Sequence, residues 1–79
     1  MKCFLISEKD EQVSGFKQMG VEAVLSNSDE MAVSEVETAI SCRRIGTLIL
    51  SRHVTEAAKP ILDSHAGCGR LPFIMTLKD

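Results

Sequence analysis

Seventy-nine residues, 44% of them hydrophobic and 25% charged, suit one small globular domain with a modest core. Nine lysines and arginines stand against eleven aspartates and glutamates, a net charge of −2, and only Arg43 and Arg44 adjoin, so a broad cationic face for nucleic acid is excluded. No run of about 18 apolar residues occurs and the apolar stretch after Met1-Lys2 is too brief for a signal peptide, so we expect a cytoplasmic chain that meets a membrane only through partners.

Lys2 to Ile6 is a short β-compatible apolar run closed by the polar stretch Ser7-Glu8-Lys9-Asp10, and reads as a first strand. A helix follows, with Asp10 as N-cap and Glu11 at the positive end of the macrodipole. Val13, Phe16 and Met19 or Gly20 share one face, and Gly20 can stop the helix in a left-handed conformation. Glu22 to Ser26 predicts a second, very short strand. Asn27 with Glu30 three residues on resembles a capping box. Ala32, Val33, Val36, Ala39 and Ile40 then place an apolar stripe on a helix from about Asp29 to Cys42. Arg43 and Arg44 suit its negative end as solvent-facing charges.

Beyond Gly46, Thr47-Leu48-Ile49-Leu50 is a continuous apolar run of the kind buried on both faces of a parallel sheet, and predicts the central strand. Val54, Ala57, Ala58, Ile61 and His65 recur at three- and four-residue intervals, giving a third helix over Ser51 to Ser64. Pro60 within it predicts a kink, or a break with Pro60 starting the second piece. Gly67-Cys68-Gly69 reads as a loop and Leu71 to Leu77 as a last strand, with Pro72 at its beginning or on a sheet edge. Four strands alternating with three helices predict an α/β fold, a parallel sheet of order 2-1-3-4 with helices on both faces, flavodoxin-like in its early topology and a truncated version of a Rossmann-like sheet.

In such a sheet a ligand binds outside the carboxyl ends of the strands, here the loops Ser7 to Asp10, Ser26 to Asp29 and Ser51 to His53. No G-x-G-x-x-G or G-x-x-x-x-G-K-[ST] occurs, so the usual phosphate cradles are absent. Glu8 and Asp10 suggest the acidic corner of a phospho-receiver, but Ser51 stands where the phosphoacceptor aspartate would be and no fifth strand brings the usual lysine. Three widely spaced cysteines, Cys3, Cys42 and Cys68, form neither a disulfide framework nor a zinc site, and Cys3 is expected to pack as a small hydrophobe. His53 and His65 fall near opposite ends of the third helix, too far apart for one metal. A cysteine-dependent enzyme built on Cys68 and His65 has only sequence proximity behind it. No catalytic, metal or cofactor residue is therefore assigned.

The segment Val13-Ser14-Gly15-Phe16-Lys17-Gln18-Met19-Gly20-Val21 resembles a V-x-G-F-[RK]-L-x-G-[VI] stretch in the F subunit of V/A-type ATP synthases. Ile45-Gly46-Thr47-Leu48-Ile49-Leu50-Ser51 resembles that family's third strand, and Leu71-Pro72-Phe73-Ile74-Met75 its final one. Ser7-Glu8 stands where the family usually has Gly-Asp, and the usual C-terminal helix does not follow, so residues 1–79 are expected to form a single F-like domain without it. The resemblance implies a non-catalytic central-stalk component with no cofactor, peripheral to the membrane through its complex. Its implied partner is the coiled-coil D subunit, with the catalytic A/B head as a further neighbour. Gly15, Phe16 and Gly20 are then the structural motif: Gly15 for close helix-to-sheet approach, Phe16 as core anchor, Gly20 to end the helix. Ser7, Glu8, Lys9, Asp10, Arg52 and His53 are the candidate partner-contact positions.

Overall fold

The computed structural model describes residues 2–42, 44–65 and 72–78, in which strands and helices alternate. The order is β1 (Lys2–Ser7), α1 (Asp10–Gln18), β2 (Glu22–Leu25), α2 (Asp29–Ser41), β3 (Ile45–Leu50), α3 (Arg52–Ala57), α4 (Lys59–His65) and β4 (Phe73–Thr76). All neighbouring strands pair in parallel, in the order β2-β1-β3-β4, as the alternation predicts. β3 lies inside the sheet, and its Leu48, Ile49 and Leu50 are all buried, which is why that run carries no polar alternation.

Period-two alternation sends each strand's side chains to two separate cores. Ile6, Leu48 and Leu50 meet Ala32, Val36 and Ala39 of α2, Val54 of α3 and Ala58 just after it, in the larger cluster. Leu5, Ala23 and Ile49 meet Val13 of α1 in the smaller, with Phe16, Leu25 and Leu77 packed against it. The three-to-four spacing of α2 therefore does what it predicts, with Val33 and Ile40 half-buried at the margins of the stripe. Val13 is the buried residue of α1 and Phe16, half-buried, packs against the same cluster, whereas Met19 is not on that face: it is 69% exposed, because the helix has already ended at Gln18.

The ends of the elements show where tertiary bonds override local preference. Asp10 is not the N-cap of α1; that position is Lys9, with extended backbone and no capping side chain, and Asp10 lies in the first turn, where its charge suits the macrodipole. The cap of α2 is Ser28 rather than Asn27, its hydroxyl accepting from the Met31 amide. The third predicted helix is two: α3 stops at Ala57, and α4 starts at Lys59 with Pro60 in its first turn, where a missing amide hydrogen leaves no bond unmade. Cys3 is exposed rather than packed, since it sits low on β1 beyond the cover of α1. The last strand starts at Phe73, after Pro72; Leu71 and the loop expected at Gly67-Cys68-Gly69 lie outside the described residues.

Gly20 adopts φ 87°, the left-handed conformation that ends α1. Its amide bonds the Lys17 carbonyl at 3.0 Å and the Val21 amide the Phe16 carbonyl at 3.0 Å, turning the chain into β2. Gly15 is exposed, and a Cβ built there meets nothing within 4 Å, so the expected close approach of helix to sheet at Gly15 does not occur.

Candidate functional site

Between β1 and β3 the connections leave in opposite directions, α1 to one face and α3 to the other, and this is where an open α/β sheet leaves a crevice at its carboxyl edge. Ser7 ends β1 and Ser51 follows β3; both are fully buried, and Ser26, after β2, nearly so. Backbone bonds close the edge below them: the Ser26 amide to the Ser7 carbonyl at 2.9 Å and the Ser51 amide to the Ile6 carbonyl at 3.2 Å. A small hydroxyl residue suits each place because it can satisfy the turn that opens the next helix.

The rim is held by side chains from elements far apart in sequence. Ser51 Oγ accepts from the Val54 amide at 3.2 Å, capping α3, and donates to Glu8 Oε1 at 2.5 Å, which ties the β1–α1 loop to the start of α3. Ser7 Oγ accepts from the Lys9 amide at 3.0 Å and donates to Gln12 Oε1 at 2.6 Å. His53 Nε2 lies 2.7 Å from Asp29 Oδ1, linking the first turns of α3 and α2. That hydrogen bond, and then the charge of Asp29, hold the imidazole above its ordinary pKa; desolvation opposes, and Glu8 and Glu56 add smaller attractions. Arg52 pairs with Glu56 at 3.7 Å along α3.

Ser7, Glu8, Lys9, Asp10, Arg52 and His53 lie along one edge, where Ser7, Glu8, the Lys9 amide and His53 are bonded within the chain and Arg52 pairs only along α3. His53 faces Asp29, not Ser51, so no nucleophile–base pair forms at the rim. Among the described residues no three His, Cys, Asp or Glu side chains converge to hold a metal ion, and every buried side-chain nitrogen or oxygen has a hydrogen-bond partner. His65 Nδ1 lies 2.9 Å from the Ile61 carbonyl at the end of α4, while Cys68, its neighbour along the chain, lies outside the described residues. A shallow groove of about 280 Å³ lies at the opposite end of the sheet, floored by Phe4, Ala39 and Ile45 beneath the end of α2.

Sequence reasoning missed Asp29 as the partner of His53 and Glu8 as the partner of Ser51, pairs separated by 24 and 43 residues, a distance at which spacing carries no signal. It also missed the exposure of Phe73 and Met75 on β4, 65% and 45%. Their i, i+2 spacing gives a signal: it puts both on one face of the last strand, whose register sets Phe73 beside Thr47 and Met75 beside Ile49. Among the described residues no helix is long and apolar enough to cross a membrane.

A search of the curated proteins found no match. Among solved structures the chain resembles the crystal structure of the Archaeoglobus fulgidus V-type ATP synthase F subunit, with a TM-score of 0.77 and 16% identity over 98% of this chain and 96% of that one. At that identity the likeness is one of fold, and it includes the four-stranded parallel sheet. The family model for the ATP synthase (F/14-kDa) subunit matches residues 4–79, from β1 through β4, and the chain therefore belongs to that family.

Proposed function

We propose that the protein is a non-catalytic central-stalk component of a V/A-type rotary ATPase or ATP synthase. In this reading it binds the coiled-coil D subunit and supports proton or sodium transport coupled to ATP. The observation that carries the reading is the family match over residues 4–79, joined to a sheet of order β2-β1-β3-β4. The rim agrees with docking rather than bond-making, because its serine hydroxyls and its histidine are already engaged within the chain. Ser7, Glu8, Lys9, Asp10, Arg52 and His53 are the proposed polar contacts. No cofactor enters this role, and the chain stays in the cytoplasm, held near the membrane by the complex. The A/B head is a further neighbour in the same reading.

The test is direct binding. The D subunit of the same organism, titrated into the chain in a calorimeter, is expected to saturate it one to one in the micromolar range or tighter, whereas no heat at tens of micromolar sinks the assignment.

A further inference from the structure

The amino end of the sheet holds an arrangement that the stalk reading does not use. Between β1 and β3 the register slips: Lys2 pairs with Ile45 but Cys3 with Thr47, so Gly46 is an extra residue on β3. In unbroken alternation Ile45 would share a face with Thr47 and Ile49; the bulge turns it to the other face, where it joins Phe4 against the larger core. Arg44 sits just before the bulge, its carbonyl accepting from the Lys2 amide at 2.9 Å. α2 supplies another wall, since Glu35, Ala39 and Cys42 fall at i, i+4 and i+7 on one side of it. These pieces make the groove of about 280 Å³, in which Phe4, Ala39 and Ile45 form an apolar floor, Glu35 stands on the α2 side and Arg44 on the β3 side.

The two charged walls are unsatisfied. At the end of the groove Lys2 and Glu22 neutralise each other at 3.0 Å, and Thr38 Oγ1 donates to the Ser34 carbonyl within α2. Among the described residues, the half-buried Glu35 carboxylate and the exposed Arg44 guanidinium make no hydrogen bond or ion pair, with each other or with any third group.

We propose that this groove binds a free α-amino acid with an apolar side chain, its ammonium on Glu35, its carboxylate on Arg44 and its side chain on the floor. The site goes beyond the stalk reading and does not depend on it. Charge selects the class of ligand. A monocarboxylate answers Arg44 and leaves Glu35 facing a like charge, an amine does the reverse, and a zwitterion answers both walls. The planar fork of Arg44 suits a carboxylate in particular. Size limits the ligand further: the groove falls just short of the roughly 300 Å³ at which pockets for drug-sized molecules begin, so it admits one amino acid and not a peptide. Because the charged walls are open to water, their ion pairs are screened, and an affinity of about 1 mM is expected.

Leucine titrated into the chain and followed by amide NMR tests the site, alongside isoamylamine and 4-methylpentanoate, which keep its carbon skeleton and lack one charge each. Glu35→Gln and Arg44→Gln remove the two walls without touching either core, and Glu37→Gln, exposed on α2, is the control. Each variant is first shown to retain the wild-type amide spectrum. The expected result is saturable binding of leucine with shifts at Phe4, Glu35, Ala39, Cys42 and Ile45. Either analogue should bind about fivefold more weakly or worse, and each wall variant should lose about fivefold or more for leucine, with Glu37→Gln unchanged. No saturable shift by roughly 50 mM leucine overturns the site. An analogue that matches leucine overturns it too, since that marks a simple cation or anion site, and so does a smaller loss in either wall variant. Shifts that fall elsewhere in the molecule have the same consequence. None of these failures touches the stalk reading, which is tested by the D subunit alone.

Discussion

His53 illustrates how one exposed side chain reports on the arrangement of the rim. It lies in the first turn of α3, where the helix dipole disfavours a positive imidazolium, yet the Asp29 carboxylate at 2.7 Å outweighs that and raises its pKa. Since the folded-state pKa of His53 lies above the unfolded value, the stabilisation from the pair is fully present below about pH 6.5, where the imidazole is charged. It is lost as the pH rises through the folded value. Followed by NMR, His53 should titrate above the ordinary imidazole range, and Asp29→Asn should bring it back down. The same substitution should lower the midpoint of urea unfolding at pH 6 and leave it nearly unchanged at pH 8.5, by a small amount that salt screens, because both side chains are exposed. Identical His53 titrations in the wild type and Asp29→Asn would show that the pair does not form in solution. Neither His53–Asp29 nor Ser51–Glu8 was legible in the sequence, where each residue is a common loop or capping type and only the folded sheet edge brings them together.

The helices were more legible than their caps. Apolar spacing located α1 and α2, and Pro60 located the division of the third helix, because each is a consequence of geometry within one element. Caps failed by one residue at Asn27 against Ser28 and at Asp10 against Lys9, because several neighbouring residues of similar type can sit at an opening turn. α1 and its C-terminal turn also contain two glycines that look alike in sequence and differ in backbone. Gly20, at φ 87°, needs the freedom of glycine; Gly15, helical and open to solvent, does not. Gly20→Ala should therefore cost about 1 kcal/mol, while Gly15→Ala should stabilise the protein by roughly 0.5–1 kcal/mol through helix propensity and a less flexible unfolded chain. Urea unfolding of the two variants checks this. A loss from both would mean that the Gly15 position is hemmed in by something the folded chain does not display.

Parallel order, a buried central strand and helices on both faces follow from alternating periodicities along the chain, but the division of cover between the faces does not. A strand pattern tells which side chains share a face and is silent on how many helices lie over it, so the exposure of Phe73 and Met75 emerges only from the packing. That unevenness should govern local stability. β1 and β3 lie between two neighbours, and Leu5, Ile6, Leu48 and Leu50 are fully buried, whereas β4 has one neighbour and a half-open face. Opening β4 exposes little new apolar surface; opening β3 dismantles both cores at once. Native-state hydrogen exchange should therefore be slowest at Leu5, Ile6, Leu48, Ile49 and Leu50, at the free energy of global unfolding, and faster at Ile74 and Met75, which open without it. Leu48→Ala should remove about 3 kcal/mol from a total on the order of 4–12 kcal/mol for a chain of this length, and should speed exchange in β1 and β3 together. Protection in β4 equal to that in β3 would mean that the edge strand does not open independently, and that its outer face is covered in solution.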